Sequence, residues 1–331
     1  MRFGILFLIL LSAAKPKVPA WEKDWLQGME LFKKARYADA APHFQKVVQV
    51  LPDGFAGQAM LGKCLMNAGD QAAALEPLQR AWSLKPDDGD TAIRTLTVLM
   101  GLKRYPEILQ QVQVRPSEAI APEYRGDVYR LAGLAAWNLK DTGLAMDAFR
   151  HAENIYAGLD PETAGLQSRR AEVLSWLVRL LNKESRGMAG AERSRRYAES
   201  MERARTLILL DPSSENLLAA AEAALGSGGY PEAEALARRA AIAAPENGFV
   251  RLYIGQALSH LGRFREAVPP LEEAVRLLPV ENRATAHNQL GFVLEKLGET
   301  RRAIEAYRQA GNLERVRMMQ EISGDGTPVQ Q

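Results

Sequence analysis

A single cysteine, Cys64, leaves the chain without the means to close an internal disulfide, so stability has to come from packing. It falls beside Leu65 with no histidine near it in sequence, which reads as a small buried apolar group. Histidine is scarce as well. His43, His151, His260 and His287 make no His-x-x-x-His pair and no Cys-x-x-Cys exists, so zinc and other metal sites are not expected. No phosphate-cradling loop stands out, since Gly226-Ser227-Gly228-Gly229 falls where two apolar stretches must turn. A large charge of one sign is missing too: 42 basic against 40 acidic residues leave +2, which does not make nucleic acid or an anionic membrane the default partner. Few β-branched runs occur, and glycine and proline punctuate Ala- and Leu-rich stretches, so helices are favoured over strands.

Nor is there an apolar run of the roughly 20 residues that a spanning helix needs. The longest, residues 3–11, follows Met1-Arg2 and leads into Ser12-Ala13-Ala14. A positive start, a short apolar core and a small-residue exit predict a secretory signal, cleaved after Ala14 or after Ala20, and an exported protein, periplasmic or secreted.

What the chain has is a repeat. Leu61-Gly62, Gly69-Asp70, Ala74, Leu78, Ala81 and Pro86 return as Ile254-Gly255, Gly262-Arg263, Ala267, Leu271, Ala274 and Pro279. Ala221, Gly228-Gly229-Tyr230, Ala233, Ala237, Ala240 and Pro245 form a third copy, and Gly28, Tyr37, Ala40, Phe44, Val47 and Pro52 a fourth. Pro52 to Pro86 and Pro245 to Pro279 both span 34 residues. Weaker copies run through Ala132-Gly133, Ala145, Phe149 and Ala152, and through Leu290-Gly291, Gly298, Ala303, Tyr307 and Ala310. Gly62 and Gly255 sit inside helices, where glycine costs about 1 kcal/mol relative to alanine, so a neighbouring helix must approach too closely for a side chain. Gly69, Gly228, Gly262 and Gly298 fall where a first helix must stop and reverse. Pro42, Pro77, Pro269 and Pro270 conflict with the second helices, whose starts are therefore expected later in the chain. Pro106 and Pro231 suit a first helical turn.

By this period and pattern the chain resembles the tetratricopeptide repeat family. The resemblance implies an all-α fold, an α-solenoid winding as a right-handed superhelix of about seven to eight helical hairpins. The expected organisation is a signal and short linker over 1–20, the solenoid over 21–322, and a disordered tail over 323–331. Two units depart from the pattern: about 88–120, with a truncated second helix ending near Pro116, and about 162–211, with longer helices joined through Ser185-Arg186-Gly187. Residues 313–322, carrying Val316, Met319 and Ile322 on one side, are expected to cap the last hairpin.

In such proteins the first helix of each hairpin lines the concave side. Projecting that face selects Trp25, Met29 and Phe32; Lys63, Met66 and Asn67; Ile93, Thr97 and Met100; Arg130, Leu134, Trp137 and Asn138. Near the C-terminal end it selects Phe249, Leu252, Gln256, His260, Asn288 and Phe292. Met and Trp there could anchor an amphipathic helix or extended peptide, or could simply pack against neighbouring helices in the irregular units. Some family members clamp a terminal carboxylate with Lys, Arg and Asn; here the equivalent places hold Trp25, Met29 and Met60, so that clamp is not expected. Arg193, Arg195, Arg196, Arg203 and Arg205 are interleaved with Glu192, Glu199 and Glu202, favouring a salt-bridged face over an anion patch.

The expectation is a protein that holds another protein, without catalysis, cofactor, small-molecule substrate or nucleic acid, in the bacterial cell envelope, where proteins resembling this one often assemble or localise machinery. A non-catalytic subunit of an envelope enzyme and a self-associating scaffold are the alternatives.

Overall fold

The computed structural model describes residues 19–114 and 117–323; the expected signal segment, Pro116 and all but the first residue of the expected tail lie outside them. Among the described residues every regular element is helical. They fall into two compact units, up to Asp141 and from Thr142 onward.

The first unit holds α1 (Ala20–Lys33), α2 (Tyr37–Val50), α3 (Phe55–Asn67), α4 (Gln71–Leu84), α5 (Gly89–Gly101), the short α6 (Tyr105–Val114) and, after a 3-10 turn at Ser117–Ala119, α7 (Pro122–Asn138). The second holds α8 (Thr142–Ala157), the long pair α9 (Leu166–Arg186) and α10 (Gly190–Leu210), then α11 (Ser214–Ser227), α12 (Tyr230–Ala243), α13 (Gly248–His260), α14 (Phe264–Leu277), α15 (Val280–Lys296), α16 (Thr300–Gln309) and α17 (Leu313–Ser323). Antiparallel hairpins pair α1 with α2, α3 with α4, α9 with α10, α11 with α12, α13 with α14 and α15 with α16.

The repeat positions make these hairpins close. Phe44, Ala74, Leu78, Ala233, Ala237, Leu271, Ala274 and Ala303 are all fully buried, and each large side chain among them contributes roughly 1.5–3 kcal/mol through burial. A Cβ on Gly62 would lie 2.5 Å from Cγ of Leu78, and one on Gly255 would lie 2.5 Å from Cγ of Leu271. The missing side chain is therefore what lets the two helices of a hairpin meet. The reversals at Gly69, Gly228, Gly262 and Gly298 have positive φ, and Ala35, Lys103 and Lys140 adopt the same left-handed conformation at the turns that lack glycine. Asp70 and Asp88 start α4 and α5 by accepting from the amides of Ala73 (3.0 Å) and Thr91 (2.9 Å).

The prolines did not delay the helix starts. α2 begins at Tyr37, α4 at Gln71 and α14 at Phe264, with Pro42, Pro77, Pro269 and Pro270 inside them. The carbonyls left without an amide partner belong to Ala38, Ala73, Arg265 and Glu266, all solvent-exposed residues, so water can replace the missing bond. Burial of the Ala-Leu stripe on the opposite side outweighs what remains.

Cys64 is fully buried in the first hairpins, and burial pushes its thiol up to about 11. At the other end α17 buries Val316 and Met319. Glu295 of α15 ties it down, accepting from Arg315 Nε at 3.0 Å and from the Tyr307 hydroxyl at 2.8 Å. Burial pushes the Glu295 carboxyl up, but Arg315 and Tyr307 outweigh it and hold the group below its usual range. Burial and this carboxylate push the Tyr307 phenol up to about 12. A depressed carboxyl stabilises above its unfolded pKa and ceases to as pH falls through the folded value; a raised phenol stabilises below its ordinary pKa and ceases to as pH rises through about 12. Protection of the α17 amides against exchange, taken relative to their intrinsic rate at each pH, should thus fall on acidification below about pH 4, and Glu295→Gln should flatten that dependence; an unchanged acid limb in the variant would refute the role given to Glu295.

Candidate functional site: a groove across the first helices of the second unit

In the second unit α9, α11, α13 and α15 run along one groove of about 940 Å³, with the first turns of α10 closing one side. Its floor is Leu218 and Leu225 from α11 with Phe249, Leu252 and Tyr253 from α13. Gln256, Asn282 and Gln289 place neutral amides along α13 and α15. Such groups can both donate to and accept from a polypeptide backbone.

The wall between α9 and α11 is a polar ladder. Arg179 reaches Glu215 at 3.2 Å, Asn182 donates to the carbonyl of Ala219 at 2.9 Å, and Arg186 grips Glu222 through Nε and Nη2 at 2.6 and 2.7 Å. Residues seven apart on α9 meet residues seven apart on α11, because that spacing returns a helix nearly to the same face. The Tyr197 hydroxyl points to the Glu222 carboxylate at 3.5 Å. Burial, then the Glu222 charge, push the phenols of Tyr197 and Tyr253 above their usual range, so both remain donors. At the groove lip His260 stacks flat on Tyr230, with ring centres 4.3 Å apart, and partial burial lowers its pKa, keeping it neutral.

Of the residues projected from the sequence, Phe249, Leu252, Gln256 and His260 line this groove. Leu252 is only 4% exposed, a correction to its placement on an open face: it is floor, packed into the hairpin core. Asn288 instead accepts from Asn312 at 3.0 Å, and Phe292 lies edge-on to Phe264 beneath Lys296. In the first unit Trp25 packs edge-on against Phe44 (5.4 Å) and Phe32 against Tyr37 (5.2 Å), with Met29 on the same cluster. Lys63 pairs with Asp90 at 2.7 Å, while Met66, Ile93 and Met100 are half-buried against the core. Thr97, Leu134 and Trp137 are half-buried and Asn67 exposed; Asn138 donates to the carbonyl of Leu134, and Arg130 pairs with Asp127 at 3.1 Å. On α10, Arg196 and Arg203 share Glu199, and Arg205 pairs with Glu232. Arg179, Arg186 and Tyr197 escaped the sequence projection because the long α9–α10 hairpin breaks the period on which it rests; Glu222 and Tyr253 lie on the regular α11 and α13, at positions the projected face did not include.

Among the described residues no helix is long and apolar enough to cross a membrane. The stacked hairpins and their groove define a helical-repeat protein. One tetratricopeptide repeat family model matches residues 26–89 and 218–282, and a second matches 284–315. The chain belongs to the tetratricopeptide repeat family, whose members in general are non-catalytic scaffolds for other proteins, and it is a protein–protein interaction scaffold of that kind. No curated protein matches its sequence. Solved structures similar to it include PilF of Pseudomonas aeruginosa, 16% identical over 70% of this chain and 95% of that one, with a TM-score of 0.48. MamA of Desulfovibrio magneticus RS-1, from residue 41 onward, is 17% identical over 57% of this chain and 95% of that one, with a TM-score of 0.44.

Proposed function

We propose that the chain is an adaptor without turnover of its own, whose second unit holds a peptide or amphipathic helix of a partner protein in the α9–α11–α13–α15 groove. The observation that carries this reading is the convergence of four first helices on one continuous groove with an aromatic and aliphatic floor and neutral amides along its side. A floor of that kind supplies apolar contact, and the amides supply backbone hydrogen bonds without demanding one side chain. The apolar run at residues 3–11 supports a place in the bacterial cell envelope, which fractionation reads directly.

The test is a photocrosslinking amino acid at Gln256, inside the groove, compared with one at Ile242, which is 84% exposed on α12 and does not line it. A partner trapped from Gln256 and not from Ile242 is the expected outcome. Trapping of a second copy of the chain at Ile242, with nothing at Gln256, would replace this reading with self-association through the aliphatic ends of α10 and α12, where Leu209 is equally exposed.

A further inference from the structure

The groove reading leaves the chemistry of the bound segment open, and the charges at its α9–α10 edge narrow it. Three guanidinium groups line the groove, from Arg179, Arg186 and Arg193, against two carboxylates, Glu215 and Glu222. Both carboxylates are already engaged, by Arg179 and Arg186. Arg193 is the remaining cation: it is exposed, it lies 5.7 Å from the centre of the Tyr197 ring, and no carboxylate among the described residues pairs with it. Arg186 spends Nε and Nη2 on Glu222, which leaves Nη1 uncommitted, and its side chain is 61% exposed. Tyr197 beneath Arg193 is buried, so the guanidinium is seated on a fixed ring instead of sweeping through water. The opposite side of the groove, α13 and α15, offers as polar groups only neutral amides, the hydroxyls of Tyr253 and Thr285 and a neutral imidazole.

We propose, resting on the groove reading above, that the occupant is an acidic apolar segment of a partner protein: aliphatic or aromatic side chains on the Leu218–Phe249 floor, and aspartate or glutamate side chains against Arg193 and the free edge of Arg186. A basic segment meets an uncompensated cation there and is turned away.

The experiment is fluorescence anisotropy on the full chain with short labelled peptides, amidated at the C-terminus so that only side chains carry carboxylates. Leucine and phenylalanine alternate with glutamate in one set, lysine in a second and glutamine in a third. The glutamate set should bind about fivefold to tenfold tighter than the lysine set, with the difference shrinking in salt. Arg193→Glu should erase or invert that preference, and Arg193→Gln should reduce it, both at unchanged helicity. Phe249→Ala should weaken every set. Equal binding of glutamate and lysine sets, or a preference untouched by Arg193→Glu, overturns the acidic segment; if Phe249→Ala still weakens every set, the groove itself stands. Binding of no set, or binding indifferent to both Phe249 and Arg193, overturns the acidic segment and the groove together.

Discussion

Truncating Leu271 to alanine should cost about 2–5 kcal/mol, and adding Gly255→Ala to that variant should return stability, although the same glycine substitution in the native chain removes it. Leu271 is fully buried between α13 and α14, with its Cγ where a Cβ on Gly255 would have to go. In the native chain Gly255→Ala gains about 1 kcal/mol of helix propensity but forces an overpacked contact that typically costs about 1–3 kcal/mol. With Leu271 truncated the obstruction is gone, the propensity gain survives and the new methyl fills part of the cavity. Urea unfolding of the four chains of this cycle measures the coupling. If Gly255→Ala destabilises both backgrounds equally, close approach to Leu271 is not what keeps glycine there.

The need for glycine at Gly255 was legible in the sequence, because a glycine inside a helix is costly enough to need a reason and Gly62 offers the same reason in an earlier repeat; that Leu271 of the same hairpin is what the glycine makes room for was not. The turns were legible on the same grounds at Gly69, Gly228, Gly262 and Gly298, whereas Lys103 and Lys140 carry no residue signal for the left-handed conformation they adopt. The prolines misled, since residue preference registers a lost hydrogen bond but not whether water can reach the carbonyl it leaves. Much of the groove was hidden for a different reason. Projection works by carrying a face from one 34-residue repeat to the next, and α9 and α10, at 21 residues each, have no counterpart to carry it from. Phe249 and Gln256 lie in regular repeats and were selected, while Arg186 and Glu222 meet across 36 residues that include the whole of the irregular α10. In the first unit, Trp25 and Phe32 show the converse: a projected face does not distinguish open surface from a flank closed by the helix's own partner.

Asn182→Leu should lower stability by about 1–3 kcal/mol, the cost of stranding a buried polar group, and should loosen the groove wall. Asn182 is 2% exposed on α9; its amide donates to the Ala219 carbonyl of α11, and its oxygen accepts from the Ser200 hydroxyl of α10 at 2.7 Å. One side chain thereby fixes three helices against one another. Leucine matches the volume but satisfies neither bond. Adding Ser200→Ala should cost less in that variant than in the native chain, because the hydroxyl has then already lost its Asn182 acceptor and keeps only the Val178 carbonyl at 3.3 Å. Thermal unfolding reads the stability, and faster amide exchange in α11 of the single variant reads the loosening. Losses that simply add in the double variant would show that the two side chains do not act as a pair.

The lone thiol has a practical consequence. Cys64 is sealed from solvent and held as a thiol by its surroundings, and it is the chain's only cysteine. Thiol reagents act on the thiolate, so the folded native chain is close to silent toward them. A substitution such as Gln256→Cys then introduces the sole readily labelled position without any background mutation. The protein comes ready for a single spin label or fluorophore in its groove, and the arrival of a ligand there can be followed in real time.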